Sequence, residues 1–190
     1  MKYNKTTANH VREGIFVGRA STKVNKNIYQ RTREELGLTR ERAEELLESV
    51  TAERIEKIEN EKSLPYPDEV LQMAEKYKTP ILCNYYCANQ CPIGQQYVPE
   101  VKSKDLSQII LELLASLNAV SKQKDRLIEI TADGEISVDQ IEDFVRIQEE
   151  LERISVTVET LQLWSERMLA TGAIDPEQYR LCKQQRTVKA

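Results

Sequence analysis

Along residues 28–78, apolar positions recur every three or four residues, which is the period of an amphipathic helix. Gly37 is the residue type usual just past a helix end, and Thr39 and Thr51 are suitable N-caps. Pro67 favours the first turn of another helix. The pattern therefore predicts four short helices, at about residues 28–36, 40–47, 52–60 and 68–78.

A second apolar pattern begins at Lys104 and advances by alternating steps of four and three residues, the spacing of a heptad seam. The polar turn 131–135 separates it from a second long helix, which opens with a capping box of Ser137 and Gln140 and ends at Gly172. The predicted seam consists of Leu106, Ile110, Leu113, Leu117, Val120 and Leu127, then Phe144, Ile147, Leu151, Ile154, Val158, Leu161 and Met168. Two long helices joined by a short turn predict an antiparallel hairpin.

These elements predict an all-α fold, in which a head of four to five short helices precedes a coiled-coil-like helical hairpin. The predicted parts are an arm at 1–27, the head at 28–79, a Cys/Pro-rich linker at 80–103 and the hairpin at 104–190. Further apolar residues of the hairpin, such as Leu114 and Trp164, need a covering partner. A second copy, giving a dimeric four-helix arrangement, is the preferred partner, and the other short helices are the alternative.

The 190 residues are 40% apolar and 31% charged, a composition typical of a folded protein. No apolar run approaches the roughly 18 residues that a membrane-spanning helix needs, and the N-terminus lacks a signal-peptide pattern. We therefore expect a cytoplasmic location and no membrane partner. The net charge of −4 conceals an asymmetry, because the first 33 residues contain eight basic residues and one acid. This distribution predicts a basic arm attached to an acidic body.

Three cysteines lie in the Pro-rich stretch with three residues between successive members: Cys83, Cys87 and Cys91. This CxxxC spacing is within the range of zinc sites, and a cysteine followed by proline ends some iron–sulfur motifs. His10 or Cys182 would supply a fourth ligand. A zinc ion or an iron–sulfur cluster is therefore a candidate cofactor. The other interpretation is that small apolar thiols fill a loop core.

The stretches "REELGLTRERAEELL" (33–47) and "AERIEKIENEKSLPYPDEVLQMAEKY" (52–77) resemble the Cro-type, or xenobiotic-response-element class, of helix-turn-helix regulators. The likeness covers about residues 28–78 and is carried by the Gly37-Leu38-Thr39 start of the second helix, the Ile55, Ile58 and Glu59 pattern, and the proline-broken loop. It implies that residues 28–79 are a DNA-binding domain, whose second helix crosses the phosphate backbone and whose third enters the major groove.

The chain differs from the family at two points of this helix pair. Ala43-Glu44 places a carboxylate where a small residue normally lets the helices approach. The connection 48–50 is one residue longer than in the family and lacks the turn glycine.

The third helix is rich in acids for an element that faces DNA. The family pattern implies that Glu59 caps a helix or pairs inside the head, whereas Arg54 and Lys57 share an outer face. Glutamate accepts from the cytosine amino group, but it supplies no counterion-release affinity, so we expect the basic arm to supply that affinity. The predicted DNA-contacting residues are Arg12, Arg19, Lys23, Arg31, Arg33, Arg40, Thr51, Glu53, Arg54 and Lys57. The alternative is a solvated arm and a merely solubilising helix surface.

Catalysis is not predicted, because the chain has one histidine, no nucleophile pattern and no glycine-rich phosphate loop. The leading hypothesis is a sequence-specific DNA-binding transcriptional regulator, dimerised by the hairpin so that two heads meet half-sites about one helical turn apart. The resemblance further implies a role in a phage or mobile element. The alternative is an interaction protein that retains the helix-turn-helix core for packing and binds a protein partner through its acidic third helix and hairpin.

Overall fold

The computed structural model describes residues 25–132 and 134–187. All regular structure in these residues is helical, which confirms the predicted all-α fold. The helices are α1 (Ile28–Glu35), α2 (Arg40–Leu47), α3 (Ala52–Glu59), α4 (Pro67–Lys76), α5 (Ile81–Asn89), α6 (Gly94–Tyr97), α7 (Leu106–Lys122), α8 (Lys124–Thr131), a 3-10 turn (Val138–Gln140), α9 (Ile141–Ala170) and α10 (Pro176–Thr187). No described helix is both long and apolar enough to cross a membrane.

Helices α1 to α5 form the head, and their apolar faces enclose one core. Local signals fix where the first helices begin: the side chains of Asn27, Thr39 and Thr51 each accept a hydrogen bond from a backbone N–H three residues on. A cap of this kind stabilises a helix by about 1 kcal/mol. The two threonine caps were predicted and are confirmed. The fully buried core residues are Tyr29, Ala43, Leu47, Val50, Ile55, Ile58, Val70, Met73 and Leu82.

Helix α5 lies in the segment that the sequence pattern predicted to be an irregular linker. Leu82 is fully buried, and the ring of Tyr85 packs edge-on against Tyr29 with centroids 6.0 Å apart. The Tyr29 hydroxyl also donates to Oε1 of Gln90 at 2.8 Å. Because α5 is apolar on several sides, it shows no single stripe of period 3.6, and the pattern did not reveal it. The head therefore extends to Asn89.

Helices α7 and α8 run antiparallel to α9, as the two ends of the hairpin show. Near the head, Nη1 of Arg167 donates to Oγ of Ser103 at 2.8 Å. At the far end, Nε of Arg126 donates to Oδ2 of Asp143 at 2.7 Å. The heptad pattern predicted one continuous helix for the first half of the hairpin. The structure has two, α7 and α8, which are separated by a break at Gln123.

The buried seam of the hairpin differs in register from the predicted one. Ile109 and Ile130 are fully buried, although neither was assigned to the seam, whereas Leu106 and Leu117 remain substantially exposed. Small polar residues share the contact: Thr157 is buried, and its hydroxyl donates to the Arg153 carbonyl at 2.8 Å. Because polar residues occupy part of the buried seam, some apolar residues of the two helices remain exposed. That remainder, the outer stripe, consists of Leu106, Ile110, Leu114 and Leu117 on α7 with Leu151 and Val158 on α9.

Candidate nucleic-acid interface

Helix α3 has one buried and one exposed face. Ile55 and Ile58 are each 2% exposed and point into the head core. The Thr51 hydroxyl accepts from the Arg54 backbone N–H at 3.2 Å and so defines the first turn. Since apolar burial fixes the rotation of the helix about its axis, Thr51, Glu53 and Lys57 stay outside.

Glu59 lies inside the head and is held by two arginines. Its carboxylate accepts from Nε and Nη2 of Arg33 at 2.5 and 2.9 Å, and from Nε of Arg40 at 2.8 Å. The expectation that Glu59 pairs internally is thereby confirmed. Burial alone would lower the pKa of Arg33, but the hydrogen bond and charge of Glu59 outweigh it and raise that pKa. The ion pair ties α1 and the start of α2 to the end of α3.

Two residues predicted to contact DNA, Arg33 and Arg40, are instead bonded to Glu59 inside the head. Arg33 is buried, and its Nη1 also donates to the Leu38 carbonyl at 2.5 Å, so Arg33 does not have the exposure that a phosphate contact requires. Arg40 is partly exposed, with its Nε committed to Glu59. The sequence analysis expected Glu59 to be engaged internally but did not identify Arg33 and Arg40 as its partners.

Arg54 fastens the loop between α3 and α4. Its Nε and Nη2 donate to the two carboxylate oxygens of Glu69, both at 2.7 Å. Nη1 donates to Oγ of Ser63 at 2.6 Å, and Nη2 reaches the Leu64 carbonyl at 2.8 Å. The guanidinium carbon also lies 4.8 Å from the centre of the Tyr66 ring. All three nitrogens are thus engaged within the head, and hydrogen bonding to Glu69 raises the pKa of Arg54.

This geometry corrects the role predicted for Arg54. Instead of a free cation on the outer face, Arg54 is a brace between α3 and the first turn of α4, with its side chain only 20% exposed. Planar guanidinium and carboxylate groups in a bidentate contact give a well-defined geometry. The loop 60–66 is consequently held in one arrangement beside the exposed start of α3.

The exposed residues of α3 carry both signs of charge. Nζ of Lys57 lies 2.7 Å from Oε1 of Glu53, one helical turn away, and both side chains are at least half exposed. The pKa of Glu53 is lowered by its hydrogen bond to Lys57. Such an exposed pair is weak and readily exchanged for other partners. Lys57 therefore remains available to a ligand at little cost.

Glu44, where the family has a small residue, has a defined structural role. Its Oε2 accepts from the Ala52 backbone N–H at 3.1 Å, at the N-terminus of α3. A carboxylate there interacts favourably with the helix dipole and satisfies a donor that has no partner within the helix. The substitution is thus compatible with close approach of α2 and α3.

The connection between α2 and α3 has an unusual backbone conformation. Glu48 has φ 61° and ψ −41°, in a region that favours glycine. Its N–H still donates to the Glu44 carbonyl at 2.9 Å, so the conformation closes α2. Glu48 therefore adopts a positive φ in this connection, although the chain lacks the family's turn glycine.

Other predicted basic contacts lie on the periphery or outside the described residues. Arg31 is exposed on α1. Arg12, Arg19 and Lys23 of the arm lie outside the described residues, as does His10.

The three cysteines predicted as metal ligands lie on α5 and just after it. Cys83 and Cys87 are successive-turn residues of α5, and Cys91 follows the helix with its sulfur accepting from the Gly94 N–H at 3.5 Å. Within residues 25–132 and 134–187, no group of three histidine, cysteine or acidic side chains is arranged to hold a metal ion. Burial raises the pKa of the Cys83 thiol. Cys83 packs against the head core, as the core-filling interpretation expects of a small thiol.

Comparison of the chain with protein-family models, with curated proteins and with solved structures found no match. The resemblance to Cro-type regulators accordingly rests on the quoted residues alone.

Proposed function

We propose that this protein is a sequence-specific DNA-binding transcriptional regulator that acts as a dimer. The observation that carries the proposal is the two-sided construction of α3, which buries Ile55 and Ile58 while Thr51, Glu53 and Lys57 remain exposed. Helix α2 and a short connection precede it, as in helix-turn-helix proteins. In this proposal the exposed start of α3 contacts base edges in the major groove.

The internal contacts assign different tasks to the basic residues. Arg33 and Arg54 position α3 and its following loop and do not contact DNA, since their nitrogens are engaged with Glu59 and Glu69. Lys57 is the cation of α3 that contacts the duplex. Affinity for phosphates then comes mainly from Arg31 and from the arm, because neutralising phosphates releases counterions.

Dimerisation through the outer stripe completes the proposal. Leu114 and Leu117 of the outer stripe are 57% and 47% exposed. Because each side chain is only about half-exposed, covering it with a second hairpin contributes roughly half of the 1.5–3 kcal/mol of a full burial, about 1 kcal/mol. A dimer presents two heads to two half-sites, which is the usual arrangement for helix-turn-helix proteins. By the same resemblance, its setting is a phage or mobile element.

Selection of genomic fragments by the purified full chain tests the proposal, followed by gel-shift titration of an enriched fragment at several salt concentrations. Lys57→Ala is expected to weaken binding by about tenfold, which is typical of losing one good base or phosphate contact. Replacing Arg12, Arg19 and Lys23 by glutamine should flatten the salt dependence, by about 0.9 for each lost phosphate contact. Lys122→Ala, an exposed lysine on α7, is the control. Absence of any enriched sequence at low salt would reject the proposal.

One observation favours a second function, an adaptor that binds a protein. Residues 40–62 contain eight acids and five basic residues, and two of the five, Arg40 and Arg54, are engaged internally. An acidic surface disfavours DNA and favours a basic protein partner. This alternative predicts no retention of DNA fragments and binding to a basic partner that is lost in Glu53→Lys.

A further inference from the structure

A cavity of about 250 Å³ lies where the hairpin meets the head. Its walls come from four separate parts of the chain: Glu35 at the end of α1, residues 78–81 at the start of α5, residues 102–104 before α7, and the end of α9. Since no single stretch contains the site, the sequence pattern gave no signal for it. Any molecule bound there contacts both the head and the hairpin.

Positive charge dominates this cavity. Four lining residues are cations, Lys78, Lys102, Lys104 and Arg167, and one is an acid, Glu35. This excess is unusual in a chain whose net charge is −4. Grouped cations around a concave wall raise the local concentration of anions.

The cations are only partly neutralised by protein groups. Nζ of Lys104 lies 2.5 Å from Oε2 of Glu112, and Nη1 of Arg167 donates to the neutral hydroxyl of Ser103. Within the described part of the chain, Lys78 and Lys102 have no ion pair. Lys78 and Lys102 are both exposed, so their ammonium groups and the remaining donors of the Arg167 guanidinium are available to a ligand.

One wall of the cavity is apolar. Trp164 and Leu163 of α9 face it together with Pro80 and Ile81 at the start of α5. Trp164 is half-buried, so part of the indole remains available to a ligand. Aromatic rings favour flat apolar partners, to which they add contact beyond simple burial.

Lys78 occupies a position that favours glycine. It follows the end of α4 with φ 54°, and the next N–H, that of Thr79, donates back to the Ala74 carbonyl at 2.8 Å. A glycine there would close the helix with less strain. Lys78 can therefore be replaced by glycine without harm to the fold, which allows its charge to be tested separately from its structural position.

We propose that this cavity binds a small organic anion, namely a carboxylate or phosphate held by Lys78, Lys102 and Arg167 and carrying a flat apolar group that packs on Trp164. A ligand of this class bridges the head and the hairpin and stabilises their relative arrangement, because it binds only the folded chain. The proposal does not depend on DNA binding, and its test is separate from the test of the proposed function.

Trp164 is the chain's one tryptophan, so its fluorescence reports directly on the cavity. The full chain is titrated with phenyl phosphate, benzoate, inorganic phosphate and benzylamine, the last being a cation of similar shape. We expect a saturable change with phenyl phosphate and benzoate, weaker binding of inorganic phosphate and no saturable change with benzylamine. Equal affinity for inorganic phosphate and phenyl phosphate would remove the role of the apolar wall and overturn the proposed ligand class.

Variants separate binding from folding. Lys78→Gly and Lys102→Ala should each weaken phenyl phosphate binding by about tenfold, the effect of losing one charge-assisted hydrogen bond. Lys78→Gly should do so without lowering the thermal unfolding temperature, and Lys122→Ala should leave affinity unchanged. Unaltered affinity in both cavity variants would overturn the proposal. So would a fluorescence change caused by duplex DNA and by none of the small anions, because the cations would then belong to a nucleic-acid surface.

Discussion

Glu59 of α3 and Arg33 of α1 form a bidentate ion pair inside the head, with Nε–Oε1 and Nη2–Oε2 distances of 2.5 and 2.9 Å. Both side chains are almost completely removed from solvent. Taking two charges out of water is costly, and only their mutual attraction and complete hydrogen bonding compensate for it. Removing one partner should therefore lower the free energy of unfolding strongly, because the other charge stays buried without compensation.

Glu59→Ala is expected to lower the free energy of unfolding by about 3–5 kcal/mol, because the Arg33 charge then stays buried without its partner. Urea denaturation of the full chain followed by circular dichroism measures the change. Glu53→Ala on the same helix is the matched control and should leave stability nearly unchanged, since that carboxylate is solvent-exposed. Equal losses in the two variants would contradict the structural role of Glu59.

Arg54 and Lys57 are three residues apart on α3, yet we expect opposite consequences from their removal. Arg54→Ala should destabilise the head by about 1–3 kcal/mol, because Glu69 and the Leu64 carbonyl lose charge-assisted partners. Lys57→Ala should leave the unfolding midpoint unchanged and weaken only DNA binding. Paired denaturation and gel-shift measurements separate the two. Undiminished stability in Arg54→Ala would show that the contacts with Glu69 do not brace the loop.

Glu48→Gly tests the strain in the connection between α2 and α3. Glycine adopts φ 61° without a Cβ clash, which stabilises the folded state. It also increases the conformational entropy of the unfolded chain, which lowers stability. The ψ angle of −41° is less favourable for a non-glycine residue than a left-handed helical value. We therefore expect the release of backbone strain to outweigh the entropy effect and to raise the free energy of unfolding by up to about 1 kcal/mol. Glu45→Gly, inside α2, should instead cost about 1 kcal/mol. A loss of stability in Glu48→Gly would show that the backbone is not strained.

Residue types in the sequence predicted the helix boundaries of the head far better than they predicted which side chains are free to contact DNA. Thr39, Thr51, Gly37 and Pro67 act within one helical turn, so their types alone indicate where α1 to α4 begin or end. The contact between Arg54 and Glu69 spans fifteen residues and depends on how α3 and α4 pack. Nothing in the local pattern distinguishes that arginine from one free to contact DNA.

The hairpin shows a related limit. The heptad pattern predicted two long packed helices, but it assigned the seam to the most apolar register. The structure buries Thr157 between the helices and leaves Leu117 half-exposed. A hydroxyl that bonds to its own helix backbone is compatible with burial, and small residues permit close approach. Apolar periodicity alone therefore could not determine which stripe faces inward.

Burial of Tyr77 makes the head sensitive to alkaline pH. Burial raises the pKa of Tyr77 from 10.0 to about 12. The folded state favours the neutral phenol, so this contribution to stability is complete below pH 10 and is lost as pH rises towards 12. The full loss corresponds to roughly 2–3 kcal/mol.

Tyr77→Phe should therefore reduce the fall in stability between about pH 10 and pH 12, measured by urea denaturation at each pH. Exposed Tyr97 provides the control, and Tyr97→Phe should retain the wild-type pH dependence. Burial also raises the pKa of Tyr29, so part of the alkaline loss should persist in Tyr77→Phe. An identical pH dependence in wild type and Tyr77→Phe would exclude Tyr77 as a source of the effect.

The outer stripe gives a prediction about assembly. If a second hairpin covers Leu114 and Leu117, replacing both with serine removes apolar contact from the interface while the buried seam around Ile109 stays intact. Light scattering at micromolar concentration should then report a dimer for the wild type and a monomer for the double variant, with unchanged helix content. Leu111→Ser is the comparison variant, because Leu111 is 69% exposed on α7 and lies about 60° around the helix from Leu114, at the edge of the stripe. A monomeric wild type would refute dimerisation through this face, and dissociation by Leu111→Ser alone would assign the interface to a different side of α7.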